Sequence, residues 1–150
     1  MDEHDEKVHV LLTEDTVRLE PGVAFATLPS TGAVASFLGV TRSPGHNGKP
    51  VNHLYFESYK SMALKVLREV GREAVEAHGL SRVHISHGLG SVGLGAASLC
   101  VVVSSPHRRE AFRGLEQVVD ALKSRAPIFK KEVYSDGTSQ WVEPHQCKCG

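Results

Sequence analysis

The chain has 150 residues, 41% hydrophobic and 23% charged, a composition that suits one globular domain with a real core and excludes disorder throughout. Its 17 Lys+Arg balance 17 Asp+Glu, and only 6% of residues are aromatic, which argues against nucleic-acid binding, a function that needs phosphate neutralisation and stacking surfaces. No apolar run approaches the roughly 20 residues of a membrane span, and the acidic opening MDEHDEKVH is unlike a secretory signal, so no membrane association and a cytoplasmic location are expected.

Residues 1–6 read as a frayed tail and Val8 to Leu12 as a first strand. Thr16 to Leu28 is weakly patterned, with Pro21 placed to start a short helix. Gly32 to Thr41 is apolar, partly β-branched and bounded by turn residues, which predicts a buried strand delivering Arg42 at its far end. Ser43 to Pro50 is dense in turn formers and reads as a mobile surface loop. Val51 to Tyr59 alternates as a strand, with Leu54 and Phe56 on one face and Glu57 on the other. From Tyr59 to His78, the positions Ala63, Val66, Leu67, Val70, Ala74 and Ala77 mark an amphipathic helix capped by Gly79. Val83 to His87 is a further short strand.

Gly88-Leu89-Gly90-Ser91-Val92-Gly93 matches the G-x-G-x-x-G spacing used around dinucleotide phosphates. Here the glycines lead into another β-like run, Ser98 to Val103, rather than a helix, so a hairpin or bulged connection is the preferred reading. Ser105 then reads as an N-cap with Pro106 at the first helical position, and Ala111, Leu115, Val118 and Leu122 form an apolar stripe. Pro127 should end this helix at Arg125. Ile128 to Tyr134 and Gln140 to Val142 read as strands. His145, Cys147 and Cys149 lie within five residues of each other with no second cluster to complete a tetrahedral metal site, so 144–150 reads as a flexible tail. Three cysteines make no disulfide framework, which agrees with a reducing compartment.

Charge is locally uneven. Residues 1–20 carry seven acids against two bases, whereas Ser104 to Glu132 holds seven Lys/Arg. His107 and Arg108, read as the first turn of a helix, sit where unpaired N–H groups and the macrodipole favour an anion. Arg42, if the fold brings it close, adds a bidentate fork for phosphate or carboxylate. Lys123 and Lys130, if the fold hems them in with other cations, would become available as amines nearer neutral pH. By residue type alone these charges equally describe solvated helix ends and strand faces. No G-x-S-x-G, H-E-x-x-H or C-x-x-C pattern offers a rival chemistry.

The ordered set Gly32-Ala33-Val34, Phe37, Gly39, Thr41-Arg42, Glu57, Ser105-Pro106-His107-Arg108, Ala111-Phe112, Leu122-Lys123, Pro127-Ile128, Lys130-Lys131-Glu132 and Trp141 resembles the large, catalytic subunits of molybdopterin synthase, over about residues 30–143. The resemblance implies an α+β fold, of the α/β-hammerhead type with an additional antiparallel β-sheet, across a single domain 1–150 with tails at 1–6 and 144–150. It implies a sulfurtransferase that places two sulfurs on cyclic pyranopterin monophosphate, the sulfur arriving as a C-terminal thiocarboxylate on a small ubiquitin-like subunit. It also implies a homodimer within a heterotetramer and no bound cofactor or metal. Position by position, Lys123 and Lys130 match the family's catalytic lysines. Arg42, His107 and Arg108 match its anionic substrate pocket, with Lys131 beside it. Departures fall at Gly88, Ala96 and His145. The alternative is a non-catalytic module binding an acidic or ubiquitin-like partner through the same basic strip.

Overall fold

The protein's structure, a computed structural model, describes residues 2–143. The segment 144–150, with His145, Cys147 and Cys149, lies outside the described residues. Five strands form one sheet in the order β1 (Asp2–His4), β2 (Val8–Thr13), β5 (Arg82–Gly88), β7 (Ala97–Ser105), β3 (Ala33–Val40). Four form a second sheet in the order β6 (Gly90–Gly93), β4 (Val51–Ser58), β8 (Ile128–Tyr134), β9 (Ser139–Val142). Every pair in the second sheet is antiparallel. With helices α1 (Glu20–Ala26), α2 (Lys60–His78) and α3 (Arg108–Arg125), this is the expected α+β class with an additional antiparallel sheet.

Strand β7 anchors the core by alternation. Leu99, Val101 and Val103 belong to the cluster that α2 and α3 cover, while Cys100 and Val102 face the smaller cluster with Val17 and Ala26. A strand apolar on both faces is what a central position requires, and each such side chain contributes about 1.5–3 kcal/mol on burial. Helix α2 runs as read, buries Leu64, Leu67 and Val70, and ends at Gly79, whose φ of 64° is the left-handed cap that glycine adopts without strain. Helix α3 ends at Arg125, with Ala126 extended ahead of Pro127.

Four expectations need correction. The N-terminal segment is not frayed throughout, because Asp2–His4 pairs antiparallel with β2. Among the described residues strand β3 is a sheet edge rather than a buried strand: only β7 pairs with it, and Val34, Leu38 and Val40 are 40–49% exposed. The 43–50 loop is fastened rather than loose, as detailed below. The glycine-rich link joins the antiparallel neighbours β5 and β7 as a hairpin does, but through a strand of its own rather than a simple turn. Gly90–Gly93 leaves the first sheet and pairs with β4 in the second, so Gly88 and Leu89 are the crossing point between sheets.

Strand β5 also carries an acid-sensitive group. His84 is 1% exposed; its Nδ1 lies 2.9 Å from Nδ1 of His9 on the neighbouring parallel strand. Burial, with the charge of His9 second, lowers its pKa from 6.5 to about 4. Between those values the unfolded chain binds the extra proton, so stability falls as pH drops from 6.5 towards 4. The loss amounts to about 3 kcal/mol once complete. Urea midpoints measured across that range should show this slope in the natural protein and lose about half of it in His84→Asn, because His87 on the same strand is lowered to about 4 as well.

Candidate active site

The end of β5, the last turn of α3 and the facing sides of β4, β8 and β9 enclose a cavity of about 200 Å³. Pairing register decides which side chains enter it. Lys130 stands between Phe56 on β4 and Val142 on β9, and all three line the cavity. Lys123 comes from the last turn of α3, one residue after the buried Leu122 that fixes the helix face. His87 enters from β5, its ring edge-on to Phe56 at a centroid distance of 4.9 Å.

Arg42 is the third cation of this neighbourhood. It follows β3 and is held by its flanks: Thr41 N–H donates to the Ala96 carbonyl at 3.0 Å, Gly95 N–H donates to the Thr41 carbonyl at 3.0 Å, and Ser43 Oγ accepts from Val51 N–H at 2.9 Å. Its charge acts on both lysines. Lys123 is exposed over much of its length, yet loss of water around its ammonium group, and then Arg42, lowers its pKa. Lys130 is half-buried, and desolvation followed by the charge of Lys123 lowers its pKa, with Glu132 opposing the shift and Arg42 adding to it. Amines crowded this way release a proton more readily than free lysine.

His87 is the residue that sequence reasoning missed. Its pKa is lowered to about 4 by burial; a hydrogen bond to the Gly88 carbonyl opposes this and the nearby charge of Lys123 reinforces it. Nδ1 lies 2.7 Å from that carbonyl oxygen, which can only accept, so the neutral ring carries its proton on Nδ1 and leaves Nε2 as the lone-pair nitrogen. In sequence it was merely the last residue of a predicted strand. Only the turn into β6 and the approach of α3 give it a role.

Glu132, in sequence a neighbour of the lysines, is the anchor of the 43–50 loop. It is 6% exposed, accepts from His46 Nδ1 at 2.7 Å and His46 N–H at 3.3 Å, and accepts from Tyr134 O–H at 2.8 Å. Gly45 passes so close that a Cβ there would lie 2.5 Å from a Glu132 carboxylate oxygen. Burial pushes the Glu132 pKa up, and the hydrogen bonds from His46 and Tyr134 outweigh it, so the net shift is downward.

The remaining expected site residues lie elsewhere. His107 and Arg108 are exposed at the opposite end of α3, on an open groove with Pro106, Arg109, Phe112 and Arg113. The helix begins later than read, at Arg108 with His107 as the extended N-cap residue, because β7 continues through Ser105. Ser105 Oγ donates to the His107 carbonyl instead of capping the helix. The 18 residues of α3 span about 27 Å, so one chain holds two separate cationic centres. Lys131 faces away from the cavity, its ammonium 5.2 Å from the Tyr55 ring centre and 5.3 Å from that of Trp141. Among the described residues there is no group of three or more His, Cys, Asp or Glu able to hold a metal.

The sequence profile of the MoaE protein family matches residues 12–125. A molybdopterin synthase catalytic subunit of Emericella nidulans is 40% identical over 136 residues, 91% of this chain and 69% of that one. That of Pyrococcus abyssi is 34% identical over 91% of both chains. Among solved structures, molybdopterin synthase from Staphylococcus aureus superposes with a TM-score of 0.81 at 30% identity, covering 88% of this chain and 95% of that one.

Proposed function

This chain belongs to the MoaE protein family of molybdopterin synthase catalytic subunits, and from that premise we propose that the cavity between α3 and β8 is where its sulfur transfer takes place. The activity is that of a sulfurtransferase in molybdenum-cofactor biosynthesis, converting cyclic pyranopterin monophosphate to the dithiolene of molybdopterin. The sulfur donor is the thiocarboxylate tail of a small ubiquitin-like subunit.

One observation carries the assignment to this cavity: Lys123 and Lys130 both line it, and the charge of Arg42 acts on both. A thiocarboxylate entering there meets fixed cations, and preorganised cations of this kind stabilise the negative charge that develops on its carbonyl oxygen. Lys123 is assigned the docked terminal carbonyl and Lys130 the developing charge. His107, Arg108 and the neighbouring Arg109 and Arg113 suit the phosphate of the acceptor. Lys131, packed between Tyr55 and Trp141, supports the outer face of the sheet rather than the reacting atoms. A cytoplasmic setting fits the free, buried Cys100.

The two centres, about 22 Å apart along α3, are reconciled by a homodimer through the open edge of β3. Ala33, at the start of β3, lies beside the His107 end, and Val40 leads to Arg42 and the lysines. Antiparallel pairing of two β3 edges about a two-fold axis sets one chain's His107 end against its partner's lysine end. It also covers Val34, Leu38 and Val40, whose exposure is costly on a free edge.

Reconstitution tests the activity: purified chain, thiocarboxylated small subunit and cyclic pyranopterin monophosphate should yield the dithiolene. Binding without product would leave the non-catalytic module as the answer. Complementation tests the shared site. Lys123→Ala and Arg108→Ala should each be inactive, yet mixed and refolded together they should regain about a quarter of natural activity, since half the dimers are mixed and each has one intact site of two. Failure to regain activity, with mixed dimers demonstrated, would place both centres within one chain's reach.

A further inference from the structure

We propose that His87 is the general base that activates the water needed to free the transferred sulfur from its acyl carrier. This rests on the sulfur-transfer reading above and adds a residue to it. When a thiocarboxylate sulfur bonds to an acceptor carbon, the sulfur is still joined to the acyl carbon of the carrier's terminal glycine. Water must cleave that acyl–sulfur bond: its oxygen joins the acyl carbon, one proton goes to a base, and the acceptor leaves as a thiolate while the carrier leaves as a carboxylic acid that ionises. Nothing is oxidised or reduced.

The base has to be uncharged beside several cations, and the cavity holds one group that meets the requirement. Lys123 of α3 and Lys130 of β8 line the space as positive groups, the charge of Arg42 after β3 acts on both, and the carboxylate of Glu132 is committed to His46 and Tyr134. His87 of β5 lines the same space with Nδ1–H committed to the Gly88 carbonyl at 2.7 Å. Nε2 is therefore its acceptor, and the Phe56 ring packed edge-on at 4.9 Å holds the imidazole plane. Burial and Lys123 keep the ring neutral in the empty cavity. The oxyanion that forms on the acyl carbon as water attacks beside the lysines offsets that positive field, so the basicity of His87 rises in the occupied cavity. Lys123 and Lys130 are then left as the charge-stabilising groups, and proton transfer falls to a separate side chain.

The test separates the two ring nitrogens. His87→Asn keeps a donor where Nδ1–H stands and removes Nε2, whereas His87→Gln places an amide near Nε2 without a basic nitrogen. Both should unfold near the natural temperature and bind the thiocarboxylated small subunit normally. Both should release dithiolene at least about 100-fold more slowly, the usual worth of a general base. In single-turnover reactions followed by intact-mass spectrometry, both should accumulate the covalent adduct of carrier and pterin. In the natural protein the acid limb of kcat should lie at higher pH than that of kcat/KM, because the first reports the occupied and the second the free cavity; the variants should lose that separation. Full activity in His87→Asn would assign the histidine to the Gly88 bond alone and overturn the proposal. So would slow turnover without adduct. Absence of both adduct and product in the natural protein would instead overturn the sulfur-transfer reading on which it rests.

Discussion

Lys130→Ala is expected to lower kcat by about 10²–10³-fold, the usual cost of removing one preorganised group that meets developing negative charge. The ammonium is half-buried between Phe56 and Val142, and water has limited access to replace it. The same variant should also be the more stable protein. Desolvation and the charge of Lys123 lower the Lys130 pKa, so its charged form is disfavoured in the fold. That penalty is present below the lowered folded value and relieved as pH rises towards 10.5, so at neutral pH the natural lysine works against folding. Lys130→Met, which keeps the apolar stem, should therefore melt at higher temperature while losing turnover, a trade common at functional positions. Lys130→Arg keeps the charge but spreads it over a wider, planar group, and should lose at least about tenfold in kcat because the charge no longer sits where negative charge develops. A scan of Tm together with kcat across the three variants checks this, and undiminished turnover in Lys130→Arg would exclude amine chemistry at this position.

The second large effect belongs to Glu132→Ala. Removing the carboxylate leaves His46 Nδ1–H, His46 N–H and Tyr134 O–H without their acceptor. Orphaned donors at a buried site cost about 1–3 kcal/mol each, and partial access of water brings the expected total to about 3 kcal/mol. Activity should fall as well. The loop that Glu132 anchors begins at Ser43, next to Arg42, and Glu132 is the one contributor that raises the Lys130 pKa. The pH dependence has a definite sign. The Glu132 pKa is lowered in the fold, so the stability it contributes is present above the ordinary carboxylate value and is lost as pH falls through the lowered folded value. Denaturant titrations of the natural protein and the variant should therefore converge in acid and separate above it.

Most elements were legible because their signals are local. Helix α2 has a six-position apolar stripe and a glycine cap, and α3 ends where Pro127 forbids continuation. Lys123, Lys130 and Arg42 were legible as an ordered set, and the structure brings them together. What the sequence could not display is pairing. Val34, Leu38 and Val40 look like core in a list of apolar residues, and only the sheet order shows that β3 is an edge with an open face. Gly88 to Gly93 looks like a turn whether it folds back on β7 or crosses to β4, because both need the same permissive backbone. The start of α3 was misplaced for a related reason: Ser105 and Pro106 are good helix openers, but pairing of Ala33 with Ser105 holds the chain extended. His87 gave no signal, since its importance arises where a strand end and a helix end from distant parts of the chain meet.

Strand β8 presents Lys130 to the cavity and Lys131 to the aromatic pair outside. The two side chains are chemically the same, and what distinguishes them is parity: a shift of one residue along β4 would exchange them. The clasp of Glu132 with His46 and Tyr134 therefore also acts as a register pin, since slipping the strand would carry that carboxylate to the outer face and strip His46 of its partner. A single deletion between Pro127 and Lys130 should leave the composition of the strip almost unchanged and put the wrong lysine in the cavity.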